Sequence, residues 1–507
     1  MMGVLRVVGV ALLLHCGIAL AANKPAIDRD TVVVALDKEV RNLDAQVTST
    51  GDSMLYALQL YDTLYGFDAK GNLVPRMATD VKIGDSGRTY TFTLRPGVKF
   101  HNGAIMTSAD VKYSLERIID PAVKSTRRVY FAPVVESVEA PGKDTVTIKL
   151  KQPDGAFLNK IAGFLYIVPK AYTESLPTPE DFAKAPVGTG PWKLKTYTIG
   201  QVLELERFDD YWGVKPGAKR LVMKMIVEPA TRVNALLTGE VDIAMVLPYQ
   251  DVARLRKLPD IDVISNPNGG PLYVRLYSTD PALPTSKREV RQALQYAINS
   301  KAIIDNIFAG IGAPMASYIS RSYPYGSDPD LKPYPYDPKK ARELLAKAGY
   351  PNGFNFKLYA GSDQPKEASE ALVAFWSQIG VKTELVRLDY AAWSRLNNTH
   401  NNSPAAIAQF SNAIYDPVHP VAGSFAKDGT WSDYYNPEVE ALLTQANSTI
   451  GAEARGELFR KIGKLLHDDA ATLLVTELYN VYGKKKDLMW APQDGIALFN
   501  FRTVGWK

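Results

Sequence analysis

The side chains of this protein that could do chemistry gather in one stretch, Ala405 to Pro420, which reads AAIAQFSNAIYDPVHP. Phe410 and Tyr415 offer rings, Asp416 a carboxylate and His419 an imidazole. A carboxylate and an imidazole this close in sequence could hold a metal ion or move a proton. Pro417 and Pro420 beside them favour a rigid turn instead. Elsewhere the chemistry is sparse. His101, His400 and His467 have no partner at a ligand spacing, and the sequence contains no G-x-S-x-G, P-loop or H-E-x-x-H. Gly188-Thr189-Gly190 lacks the third glycine and the helix start of a dinucleotide loop. No catalytic residue, cofactor or metal site is expected; a hydrolase that uses carboxylates alone is the remote alternative.

The elements around the stretch say how it is positioned. Its apolar first half reads as a buried strand that breaks into a polar tip, and the helix-strand alternation Ser369 to Leu388 precedes it. That order places the tip at the carboxyl edge of an α/β sheet, where open sheets bind ligands. Near the start, TVVVAL after Asp30 reads as a buried strand, followed by the polar loop Asn42 to Ser53 and a helical pattern from Met54 to Tyr65. Thr48 and Ser49 in that loop could turn backbone N–H groups to a ligand; helix capping by Asp52 or Ser53 explains the loop as well. RTYTFTLR, Arg88 to Arg95, alternates as a half-buried strand does, and Thr107 or Ser108 caps a helix with apolar Val111, Leu115 and Ile118. A strand Leu221 to Val227, a helix Glu228 to Gly239 and a strand Val241 to Leu247 form one unit. Asp337, Pro338 and Gly349 bracket a helix, Gly380 ends another, and two late helices cover Pro437 to Ala446 and Ala454 to Ala470.

At 507 residues the chain exceeds one hydrophobic core, so at least two domains are expected. Its 46% hydrophobic and 22% charged residues are those of an ordinary globular protein, and a net charge of +5 is too weak a bias for a nucleic-acid partner. Residues 1–21 read as a signal peptide: Arg6, the apolar run Val7 to Leu20, and Ala19-Leu20-Ala21 as the cleavage site. Cleavage after Ala21 removes Cys16, the sole cysteine, and with it disulfides, cysteine metal sites and thiol nucleophiles. A lipoprotein reading of Cys16 meets the poorly fitting His15 before it. The mature protein is expected to be soluble and periplasmic.

Several blocks in collinear order resemble the extracellular solute-binding proteins of family 5, the dipeptide, oligopeptide and nickel receptors of bacterial ABC importers. They are Tyr61-Asp62-Thr63-Leu64, Gly71-Asn72-Leu73-Val74-Pro75, TYTFTLRPGVKFHNG, Val187-Gly188-Thr189-Gly190-Pro191-Trp192, Phe208-Asp209-Asp210-Tyr211-Trp212, Gly239-Glu240-Val241-Asp242, Val290-Arg291-Gln292-Ala293-Leu294 and Tyr336-Asp337-Pro338. The resemblance implies a two-lobed periplasmic-binding-protein fold of type II, cluster C. Lobe I would combine residues 22–59, 186–276 and 485–507, an inserted domain would span 60–185, and the other lobe 277–484. It also implies a monomer whose partners are a small-molecule or peptide ligand and the membrane permease subunits of an importer.

By the same resemblance, Tyr249 with Gln250 from one lobe and Trp393, Phe410 and Tyr415 from the other face the ligand. In the family pattern W-x-x-D-x-x-D-P this chain reads Phe410-Ser411-Asn412-Ala413-Ile414-Tyr415-Asp416-Pro417. Asp416 keeps the second aspartate, but Ala413 stands where the first would neutralise a peptide's α-ammonium. The arginine that takes a dipeptide's carboxylate is not evident around Gly361 to Pro365 either. A buried ammonium without a counter-charge costs several kcal/mol. A peptide-like ligand without a free α-ammonium, or an opine, oligosaccharide or nickel chelate, therefore fits Ala413 better than a free peptide.

Overall fold

The computed structural model describes residues 29–48, 53–410, 412–495 and 499–507. The expected leader, Ser49 and Ser411 lie outside them.

Two long strands form the spine. Ile261–Leu276 and Leu473–Lys485, rich in β-branched and aromatic residues, run antiparallel from Ile261 opposite Lys485 to Val274 opposite Leu473. Among the described residues ten strands share this sheet. Their order is Lys382–Leu388, Asn355–Gly361, Ala405–Gln409, Ile261–Leu276, Leu473–Lys485, Ile243–Ala244, Thr31–Leu36, Arg220–Met225, Val202–Arg207 and Trp192–Thr198. Asn355–Gly361 runs parallel to both its neighbours, as does Thr31–Leu36. Parallel neighbours need a crossover, and the helices Lys366–Ser377 and Pro229–Thr238 supply one on each flank.

The spine is interrupted where it passes from one flank to the other. Its register slips between Pro267 and Pro271, opposite Tyr479 and Glu477. Proline has no N–H to give the ladder, so the pairing there is weaker than on either side.

A smaller unit grows out of the first flank. Ala78–Gly84, Thr89–Leu94, Thr145–Leu150 and Val135–Gly142 form an antiparallel sheet in that order. Tyr90, Phe92 and Leu94 point inward from the alternating strand. The helix Ser108–Ile119 covers them with Val111, Leu115 and Ile118, and Asp110 Oδ2 closes its start by accepting from Thr107 N at 2.8 Å. Buried Arg117 ties this unit to the early loop through Asp44 at 2.7 Å and Gln46 at 2.8 Å.

Two elements are shorter than their sequence pattern suggests. The first helix is Ser53–Leu60, because Asp62 turns away to pair with Arg502 and Tyr65–Phe67 enters a two-stranded ribbon. The strand expected over Val241 to Leu247 is regular only over Ile243–Ala244; Val246 adopts a left-handed backbone, φ +47°, and interrupts it, though Leu247 N still donates to the Val481 carbonyl at 2.7 Å.

Candidate functional site

Ala405–Gln409 sits inside the sheet, pairing Ala405 with Leu276 through to Gln409 with Leu272. Its side chains from Ala405 to Ala408 are buried, and exposure begins only at its end, with Gln409 and Phe410 half-buried. The tip that follows is held by its own polar groups. Asn412 Oδ1 accepts from Ile414 N at 3.0 Å and its amide donates to the Asp416 carbonyl at 3.0 Å. Tyr415 takes a left-handed backbone, φ +51°. Its ring lies against Phe67 at 4.9 Å and its hydroxyl donates to the Asp494 carbonyl. Gly71, φ +81°, faces that ring; a Cβ there would stand 2.5 Å from it, so only glycine fits.

Asp416, expected at the ligand, is instead the anchor of the tip. It is fully buried, and Arg455 donates to both of its carboxylate oxygens at 2.7 Å. Tyr325 Oη adds a third donor at 2.6 Å and Val418 N a fourth at 2.8 Å. A carboxylate so occupied has no lone pair left for a ligand ammonium. Nor do Asp416 and His419 converge as metal ligands, because His419 turns its Nε2 to the Tyr130 hydroxyl, 3.3 Å away. Among the described residues no three His, Cys, Asp or Glu side chains gather at one point.

Beside the tip lies a cavity of about 600 Å³. The small unit forms one wall with Val129, Tyr130, Val134, Asp154 and Lys160; Phe410, Ile414, Val418, His419 and Trp431 form the other. The helix Phe157–Phe164 brings the walls together: Asn159 Nδ2 donates to the Ile414 carbonyl at 2.8 Å, and Gly155 N to the Asn447 carbonyl at 2.7 Å. At Gly163 the approach is so close that a Cβ would stand 2.7 Å from the Ala413 carbonyl oxygen.

Of the residues singled out in the sequence, Phe410 lines this cavity, edge-on to Trp431 at 5.3 Å. Trp393, on the helix Tyr390–Asn398, stands behind Trp431 at 6.1 Å, with its buried indole N–H unpartnered. Ala413 is buried against Gly163 and leaves the lining to its neighbour Ile414. Tyr249 is at the strand crossing, donating to the Tyr479 carbonyl at 2.6 Å; Gln250 is exposed beside it and Thr48 half-buried in the early loop. Tyr130, Lys160 and Trp431 were not legible as site residues, and His419, singled out only beside Asp416, meets Tyr130 instead. Tyr130 and Lys160 come from the small unit and Trp431 from beyond the tip, and only the fold unites them.

The charges near the cavity are few and mostly committed. Lys160 Nζ meets Asp154 Oδ2 at 2.5 Å, both largely buried. Burial pushes His419 down to about 4, so its imidazole is neutral near neutral pH. Burial also raises Tyr130, which keeps its proton. The arrangement offers shape, aromatic edges and a few hydrogen-bonding groups rather than a nucleophile beside its base.

Residues 72–433 match the description "Bacterial extracellular solute-binding proteins, family 5 Middle". Heme-binding protein A of Haemophilus influenzae is 30% identical over 444 residues, covering 81% of this chain and 80% of that one. Glutathione-binding protein GsiB of Escherichia coli O6:K15:H31 is 29% identical over 510 residues, 96% and 95% of the two chains. The periplasmic binding protein DppA from Helicobacter pylori, solved with the peptide STSA, superposes with a TM-score of 0.81 at 26% identity, over 94% of this chain and 98% of that one. With the α/β flanks, the inserted unit and the aromatic cavity between them, the chain belongs to the family 5 extracellular solute-binding proteins and has their two-lobed fold.

Proposed function

We propose that the mature protein is a periplasmic receptor that closes on one small solute in the cavity beside Phe410 and delivers it to the permease subunits of an ABC importer. The observation that carries this reading is the cavity itself, whose two walls come from the inserted unit and from the far lobe. A solute lying there is held only while the walls are together. The interrupted spine at Pro267 to Pro271 gives the lobes a place to swing. On this reading lobe I takes residues 22–59, 186–276 and 485–507, the insert 60–185 and the other lobe 277–484. The leader is removed after Ala21, and the protein works as a monomer. It binds its solute without turning it over.

The solute is a peptide or a peptide-like molecule that does not depend on a free α-ammonium. Ala413 supplies no charge, and Asp416 is spent on Arg455. The range of ligands in the relatives' names, heme, glutathione and a peptide, is consistent with one scaffold whose lining sets the choice. A non-peptide solute such as an opine, oligosaccharide or nickel chelate is the second reading, favoured by the same missing charge.

Mass spectrometry of small molecules released on denaturing the purified protein tests the reading. One solute in near-stoichiometric amount, which then raises the melting temperature of stripped protein, is the expected result. A solute that binds only the native state adds about 2.7 kcal/mol at a hundredfold excess over Kd. No released molecule, and no shift with peptides, opines, sugars or nickel chelates, would remove the support for a receptor.

A further inference from the structure

If the cavity is the solute site, its lining also says which charge the solute carries. One side is apolar and aromatic: Phe410 and Trp431 meet edge-on at 5.3 Å, flanked by Ile414, Val418 and Val134. Lys160 brings hydrogen-bond donors to the lining. Lys160 has three N–H groups and gives one to Asp154. Asp154 also accepts from Ala156 N at 3.0 Å. His419 also lines the cavity, its ring 5.3 Å from Phe410 and its Nε2 beside the Tyr130 hydroxyl. Its Nδ1 is buried without a partner.

Carboxylates for a cation are scarce in the described lining. Asp154 is the one carboxylate among the described lining residues, and Lys160 already covers it. Asp416, behind the tip, is fully buried and held by Arg455. Lys160 is the more exposed member of that pair, 17% against 8%, so an ammonium entering here would meet the cationic end first, whereas a carboxylate would find the two N–H groups that Lys160 has to spare.

We propose that the cavity takes an amphipathic anion, with an apolar or flat body against Phe410 and Trp431 and a carboxylate or similar acidic group at Lys160. This assignment rests on the cavity being the solute site, and it names the ligand class for that site. It makes Lys160 the residue that sets specificity.

Four forms of one dipeptide test it by calorimetry on the full mature protein at about neutral pH. N-acetyl-phenylalanyl-tryptophan is an anion, its C-terminal amide is neutral, the unacetylated amide is a cation, and the free dipeptide is a zwitterion. The acetylated acid is expected to bind tightest, by roughly tenfold or more over the neutral form, the scale of a hydrogen bond to a charged group. The cation is expected to bind weakest. In Lys160→Met the acid should fall to the affinity of the neutral form, and Lys160→Arg should restore the gap. The cation binding as well as the acid, or a gap that survives Lys160→Met, would overturn the assignment. So would the absence of binding by all four forms. The receptor reading would still stand on any solute released from the purified protein, so the two failures are distinguishable. The comparison among the four ligands needs no variant and holds even if Lys160→Met folds poorly.

Discussion

Asp416 and Arg455 lock the tip beside the cavity, and the consequence of losing either follows from where they are. Both are essentially fully buried and joined by two bonds of 2.7 Å. Breaking such a pair leaves one charge uncompensated and costs about 3 to 5 kcal/mol. Asp416→Asn is therefore expected to lower the melting temperature of the solute-free protein by several degrees. A variant that melts like wild type but no longer binds would instead make Asp416 a ligand anchor. His101 and His419 carry a second expectation. Burial pushes each down to about 4, against an ordinary 6.5. As pH falls, the unfolded chain takes up these protons first, so stability declines from about pH 6.5 and the full loss is reached below about pH 4. Each histidine contributes about 3 kcal/mol over that window. His101 also needs its neutral form, since Nδ1 accepts from Gly188 N at 3.2 Å while Nε2 faces the Gly190 carbonyl at 3.0 Å. His419→Phe should flatten the fall of melting temperature between neutral pH and pH 4.5 relative to wild type; an unchanged slope would mean His419 is charged in the fold.

At the scale of elements, the helix Phe157–Phe164 is what brings the inserted unit onto the tip. Gly163 permits that approach, and Gly163→Val would drive a side chain into the Ala413 carbonyl and Ile414. Solute affinity should fall by roughly tenfold or more, as overpacking a close contact costs about 1 to 3 kcal/mol, while the melting temperature without solute changes little. Unaltered affinity would show that this contact is not made in the bound state. Elements of this kind were legible in the sequence where their signals are local. Asp337 caps the helix Pro338–Lys347 by accepting from Lys340 N, as Asp and Pro in that order imply. The strand Ala405–Gln409 and the break after it are also where the apolar run and its polar end put them. The spine was not legible. Pro267, Gly269, Gly270 and Pro271 interrupt Ile261–Leu276 with residues that read as a loop, and only its pairing with Leu473–Lys485 shows one strand. The site suffered likewise. Phe410 could be named from its motif, but Tyr130 and His419 lie 289 positions apart and meet through packing that no spacing encodes.

For the whole molecule, the account requires that solute binding draw the inserted unit and the far lobe together about the spine's weak point. The contacts at Asn159, Gly155 and Gly163 describe the joined arrangement. Without solute, water must fill a largely apolar cavity, and the joined state loses the contacts that the solute would make with both walls. Ligand can shift the balance only by that difference. Small-angle scattering of stripped protein, before and after saturation with the solute recovered from it, measures the difference directly. A smaller radius of gyration on saturation, with the loaded curve matching the arrangement described here, is the result this account expects. A radius that does not change at saturating solute would contradict it.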